Sequence, residues 1–380
     1  MKIFISNVLW FFIFGQISAQ KWDKYAVFFA EHTLKMPIEP ANVVRVFLDQ
    51  NGNYYPVSTK EFIFDVKDKE LKRNGPSLED WYLKNQTSMQ QLLQTITDSG
   101  KLNTAFINNY FAQHIAVKIN EKAKLHDKLC ILIHGFRKKA YGLTDNELSY
   151  TEYDEIEKSI AEKTNKKILF IEIYWDSKFI DLLSAGKHKG FELLEQSALP
   201  NAKKVSHGLR TLLSFIKKDS FTIISHSLGA AVVSDLLFKT EVEEIKPTPW
   251  QDIKVYLLAP AIGHERFIDY SNRTVLKENK DNYQFYIFYN TNDFVLKKSL
   301  HWKNVINIDY LPTSFGNTSL GCNYNHDRDS LELLFNTKFI NYNLPIFEDL
   351  SLNNENQALS CHHFHCYFRH NRFNALIENW

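Results

Sequence analysis

The sequence predicts an α/β fold: a doubly wound, mostly parallel sheet with an antiparallel N-terminal section. Three observations carry this. From residue 128 onward, short runs rich in β-branched and aromatic residues alternate with segments of helical periodicity. That alternation is the pattern of parallel strands joined by right-handed crossovers. One of the runs, Phe221 to Ile224, breaks at Ser225-His226-Ser227-Leu228-Gly229 and resumes as an apolar helix from Ala230 to Phe238. Finally, no linker, internal repeat or low-complexity segment divides the chain, so one domain carries the pattern.

The 380 residues are 44% hydrophobic and 23% charged, an ordinary globular composition. Forty-five basic against 44 acidic side chains leave the net charge near zero, which speaks against nucleic acid or an acidic surface as partner. Residues 1–19 read as a signal peptide. Lys2 gives a positive start, Val8 to Phe14 an apolar core, and Ser18-Ala19 small residues before a cut near Gln20. That run is too short to span a bilayer, and no other stretch is apolar enough, so the expectation is an exported protein without a membrane span. Residues 20–380 are then the mature domain, with 20–125 as N-terminal strands and helix and 126–380 as the core.

Taken in order, Val43 to Leu48 reads as a strand, Gln50-Asn51-Gly52-Asn53 as a turn, and Tyr54-Tyr55-Pro56 as a returning extended segment. Glu61 to Val66 is a further strand candidate, and 78–124 is helical and polar. Lys128 to His134 and Lys166 to Tyr174 are buried strands, and 201–217 is an amphipathic helix with Val205, Leu209, Leu212, Leu213 and Ile216 on one face. The strand at Phe221 follows, then Ile253 to Leu258, Tyr283 to Tyr289, and Val305 to Ile308 as the last. Residues 177–200, between a strand and a helix, are a candidate lid.

A strand that turns into a helix at small-x-Ser-x-Gly exposes the serine at the apex of a sharp turn. Small residues are needed two positions either side because strand and helix pass close together. The N-terminal amides of the helix favour negative charge at the same spot. Ser227 is therefore the candidate nucleophile, and the Leu228 amide a candidate oxyanion donor. Reactive groups in open α/β sheets collect at the carboxyl ends of strands. The strand from Lys128 exits through His134-Gly135-Phe136, which makes the Phe136 amide a candidate second donor. The strand from Tyr283 exits through Asn292-Asp293-Phe294-Val295, where Asp293 could orient a histidine. Asp309 and Asp176 are the fallbacks.

Together these stretches resemble the α/β-hydrolase superfamily, and within it uncharacterised bacterial serine hydrolases of the esterase/lipase-like type. The likeness rests on His134-Gly135-Phe136, Tyr174-Trp175-Asp176, Asn201-Ala202 with Gly208-Leu209-Arg210, the Ser227 pentapeptide, Asn292-Asp293-Phe294-Val295 and a late histidine. It covers roughly residues 125–380, with Ser225 standing where the family usually has glycine. The resemblance implies hydrolysis of a small-molecule or lipid ester through an acyl-enzyme, in the chain order Ser, Asp, His, with no cofactor and no metal.

The base expected from this resemblance is His365, just before Tyr367-Phe368 in an apolar aromatic setting. His363, on the same face of an extended segment, and His326, in a polar stretch, are the alternatives; His362 would point the opposite way. Cys322 is expected to pair with Cys361 or Cys366, and Cys130, inside an apolar run, to be a buried free thiol. Two other readings remain on the table. Cys361-His362-His363-Phe364-His365-Cys366 is dense in metal ligands, although its spacing fits no standard zinc pattern. A hydrolase-like binding protein without turnover is the third class.

Overall fold

The computed structural model describes residues 38–55, 103–135, 149–175, 177, 199–238, 250, 252–263, 283–290, 293, 296, 299–302, 306–309, 320–321, 338–341, 362–378 and 380. The expected signal peptide, the strand at Glu61 to Val66, and nearly all of the candidate lid fall outside them.

The strands are β1 (Val43–Leu48), β2 (Lys128–Ile133), β3 (Ile168–Trp175), β4 (Ser220–His226), β5 (Asp252–Leu258), β6 (Tyr283–Tyr289), β7 (Ser299–Trp302), β8 (Ile306–Asp309) and β9 (Lys338–Asn341). The helices are α1 (Thr104–Ala123), α2 (Ser149–Lys163), α3 (Leu199–Ser214), α4 (Gly229–Phe238), α5 (Phe364–Phe368) and α6 (Asn371–Ile377). Seven strands form one sheet in the order β1-β3-β2-β4-β5-β6-β9, and every pair in it is parallel.

Strands β2, β3 and β4 are buried along nearly their whole length. Such strands have no polar face, which is why they read as continuous apolar runs rather than alternating ones: helices cover both sides. Helices α1, α3 and α4 pack together, and α2 packs with α5 and α6. With right-handed crossovers these two groups lie on opposite faces. Arg210 of α3 reaches across to α4, where its guanidinium donates to the carbonyls of Asp235 and Leu236. A cation at the last turn satisfies carbonyls that the helix itself leaves open.

Two expectations are adjusted. The N-terminal strand Val43–Leu48 joins the main sheet beside β3 in parallel. Its antiparallel contact with the returning chain is a single bridge, Leu48 to Tyr54. The turn between them folds over the Asp49 carboxylate, which accepts from the Asn51 and Asn53 amides, so the chain turns without a full hairpin. The strand expected to be last, Val305 to Ile308, forms as β8 one residue later and pairs antiparallel with β7 in a separate two-stranded sheet. The main sheet ends instead with β9, beside β6. Helix α2 and strand β9 were not anticipated from the sequence.

Candidate active site

Strand β4 ends at His226, and α4 starts at Gly229. Ser227 between them sits at φ 52°, the left-handed region that a residue with a Cβ avoids. The neighbouring turns hold it there. The Ser227 amide donates to the Leu258 carbonyl (2.9 Å), and the Ser227 carbonyl accepts from the amides of Ala230 (3.1 Å) and Ala261 (3.0 Å). A Cβ added at Gly229 would stand 2.8 Å from the carbonyl oxygens of both Ile133 and His134. The small residue after the serine is thus required by the close passage of the β2 exit.

That exit is fixed from the other side. Trp175 donates its amide to His134 Nε2 (3.2 Å) and its indole Nε1–H to the His134 carbonyl (2.9 Å). His134 Nδ1 stands 2.7 Å from the Gly135 carbonyl, which also accepts from Ser177 Oγ at 3.1 Å. Carbonyls only accept, so His134 carries its hydrogen on Nδ1. Its ring stacks on Trp175, 5.9 Å between centroids and 14° between planes. Gly135 lies directly against the elbow: a Cβ there would be 2.7 Å from Ser227 Cβ and 3.2 Å from the Leu228 nitrogen. Gly135 thus lies beside the amide of Leu228, one of the two candidate oxyanion donors. Leu228 is buried at the start of α4, and Phe136, the next residue after Gly135, lies outside the described residues.

Beyond β6, Asp293 is fully buried, so its carboxylate needs partners to offset the loss of water. Oδ1 accepts the Leu296 amide at 2.9 Å. Oδ2 accepts the Tyr367 hydroxyl at 3.3 Å and His362 Nδ1 at 2.6 Å. The other nitrogen of the same imidazole, Nε2, lies 3.0 Å from Ser227 Oγ. With Nδ1–H donating to a carboxylate, Nε2 of the neutral ring is left to accept the serine hydroxyl. Serine, histidine and aspartate therefore form one buried hydrogen-bonded chain, with Ser227 and His362 at 7% and 9% exposure.

Ser227 and Asp293 are brought together as expected, and the histidine between them is His362. That corrects the sequence reading, which favoured His365. His365 stands inside α5, and its ring stacks on that of His363 at 5.5 Å and 6°. Burial, reinforced by His363 and Arg369, pushes the His365 imidazole down to about 4. His363 is the exposed residue ahead of α5, with an extended backbone. His362 turns toward Ser227, whereas His363 and His365 stack on each other. One signal in the sequence and one feature of the fold bear on this. Phe364, Tyr367 and Phe368 have helical spacing, so a helix begins at residue 364 and the histidines inside it are committed to packing. The last strand of the main sheet is β9, so His326 precedes it rather than follows it; His326 itself is outside the described residues. Asp176 is also outside them, and Asp309 belongs to the separate β7–β8 pair.

Cys130 is a buried free thiol, as expected. Cys366 is bound in a disulfide; Cys322 and Cys361 lie outside the described residues. Cys366 therefore offers no thiolate to a metal, and among the described residues no group of three or more His, Cys, Asp or Glu side chains is placed to hold an ion. Among the described residues, too, no helix is long and apolar enough to cross a membrane.

A parallel sheet with a serine on a strained strand-to-helix turn, an acid beyond a later strand and a histidine near the chain's end defines an α/β hydrolase. The chain belongs to a family described as alpha/beta hydrolase of unknown function (DUF900), whose sequence model matches residues 112–314, more than half of its length. No curated protein and no solved structure shows significant similarity to it.

Proposed function

We propose that this hydrolase is a serine hydrolase that cleaves a carboxylic ester through an acyl-enzyme, with Ser227 as nucleophile, His362 as base and Asp293 as the orienting acid. The observation that carries the reading is the hydrogen-bonded chain from Ser227 Oγ through His362 to Asp293 Oδ2. In the first step His362 Nε2 takes the Ser227 proton as Oγ bonds to the ester carbonyl carbon. The carbonyl oxygen becomes an oxyanion beside the Leu228 amide, with the Phe136 amide as second donor. His362, cationic and held by Asp293, returns the proton to the departing alcohol as the C–O bond breaks. Water then attacks the acyl-serine, gives its proton to Nε2, and frees the carboxylic acid and Ser227.

Export is part of the proposal. It is supported by the charged and apolar start of the sequence and by the Cys366 disulfide, a bond that persists in oxidising compartments. Sequencing the N-terminus of the mature protein should find it near Gln20; an N-terminus still at Met1 would remove this part.

A fluorophosphonate probe tests the chemistry. It should label the wild type and leave Ser227→Ala unlabelled. His362→Ala and Asp293→Asn should lower kcat on a p-nitrophenyl ester by about 10⁴, the scale of damage to such a chain. Labelling of Ser227→Ala, or full activity in His362→Ala, overturns the assignment. A series of esters of rising chain length then reads out the substrate class.

A further inference from the structure

His226, the residue just ahead of Ser227, ends strand β4 with 8% of its surface exposed. Its Nε2 stands 2.7 Å from the main-chain oxygen of His362. Since a carbonyl only accepts, the hydrogen is on Nε2 and His226 donates. The two rings lie 5.0 Å apart, and the His226 ring also packs on Phe364, the first residue of α5, at 5.3 Å. His362 itself stands ahead of α5, outside any helix or strand. Both ring nitrogens of His362 are engaged by Ser227 and Asp293, so its main chain must be held by something else.

We propose that His226 is a positioning residue for the reaction: its Nε2–H holds the backbone of His362 so that the base stays within hydrogen-bond reach of Ser227. This rests on the serine-hydrolase reading above and adds a residue to it. The physical advantage is a short reference frame. Nucleophile and anchor are covalent neighbours, so whatever moves the tip of β4 moves Ser227 and the seat of His362 together. A separate anchor on another element would let the 3.0 Å contact between Oγ and Nε2 drift. Displacement of a reacting group by 1 Å can lower a rate by about 10².

The side chains available make a geometric test. The amide nitrogen of glutamine is four bonds from Cα, as is Nε2 of histidine; that of asparagine is one bond short. The full chain is compared as wild type, His226→Gln and His226→Asn by the rate constant of fluorophosphonate labelling. The rate constant reads only folded molecules and the amplitude gives their fraction, so a variant that folds less well still reports. His226→Asn should label about 10²-fold more slowly, and His226→Gln should recover most of that loss. On an activated ester His226→Asn should lose kcat with KM unchanged, and His226→Gln should keep most of its kcat. Wild-type rates in both variants overturn the proposal, and so does equal slowing in both, which would mean a packing role. An unlabelled wild type overturns the hydrolase reading and this proposal with it. Independently of any variant, a nitrogen-edited proton spectrum of the wild type should show a slowly exchanging Nε2–H on His226; its absence also overturns the proposal.

Discussion

Ser227 at φ 52° and Ala259 at φ 46° are the described residues other than glycine with positive φ. They occupy the tips of adjacent strands β4 and β5, and each costs about 1–3 kcal/mol that its surroundings must offset. The cross-bonds Ser227 N–H to Leu258 and Ala261 N–H to Ser227 do this, so the strain is spread over two turns. Ser225, two residues before the apex, is fully buried, and its Oγ has no hydrogen-bond partner among the described residues. A buried hydroxyl without a partner destabilises. Ser225→Ala should therefore raise the unfolding free energy by about 1 kcal/mol, measured by urea denaturation; a loss of stability would mean that the hydroxyl has found a partner. At this scale the sequence was most informative where chemistry and backbone coincide. Ser227 and Asp293 were legible because each follows an apolar strand, Ser227 immediately after β4 and Asp293 after the short turn that leaves β6. His362 was not, because three histidines within four positions carry the same residue type. The start of α5, not composition, decides which of them is free to reach Ser227.

Helix α2 brings an ionisable side chain into the core. Arg45 of β1 donates from Nε to Glu172 of β3 at 2.7 Å, and the Tyr174 hydroxyl donates to the same oxygen at 2.7 Å. Glu157 of α2 is buried beside this pair at 8% exposure. Burial first, then the charge of Glu172, pushes the Glu157 carboxyl up to about 10. The native state therefore keeps a proton on Glu157 that the unfolded chain releases above its ordinary value of 4.5. The sign follows from proton counting: this stability is complete below about pH 4.5 and declines as pH rises toward about 10. Melting temperatures measured from pH 5 to 9 should fall for the wild type and fall less for Glu157→Gln, whose amide is uncharged throughout. Parallel curves would place the pH dependence elsewhere. The arrangement was hidden from the sequence because Glu157 lies among other charged residues between Glu152 and Lys163, and nothing local marks it as buried. Only the packing of α2 against β3 brings Glu157 beside Glu172.

The whole molecule is organised by one sheet, and its central strands and their parallel arrangement were legible because buried strands have an unmistakable composition. Its edges were less so. Val43–Leu48 carries the same apolar residues whether it forms a hairpin or a parallel edge, and β9 is only four residues long. Neither edge announces its partner locally. The parallel order also governs how the molecule comes into being. A parallel pair cannot close through a tight turn, so every strand of this sheet waits for contacts across tens of residues, beginning with β1, which meets β3 from Val43 to Phe170. Such long-range closure makes folding slow, on the order of seconds, and chains of this size pass through partly ordered states. The proposed reactive centre draws on the tip of β4, the segment beyond β6 and the stretch before α5, so it should be among the last features to be completed. On dilution from denaturant, helical signal should return well before fluorophosphonate labelling does. On the proposed serine-hydrolase reading, a partly folded chain would carry Ser227 and yet be chemically silent, leaving bystander esters untouched until the native architecture is in place.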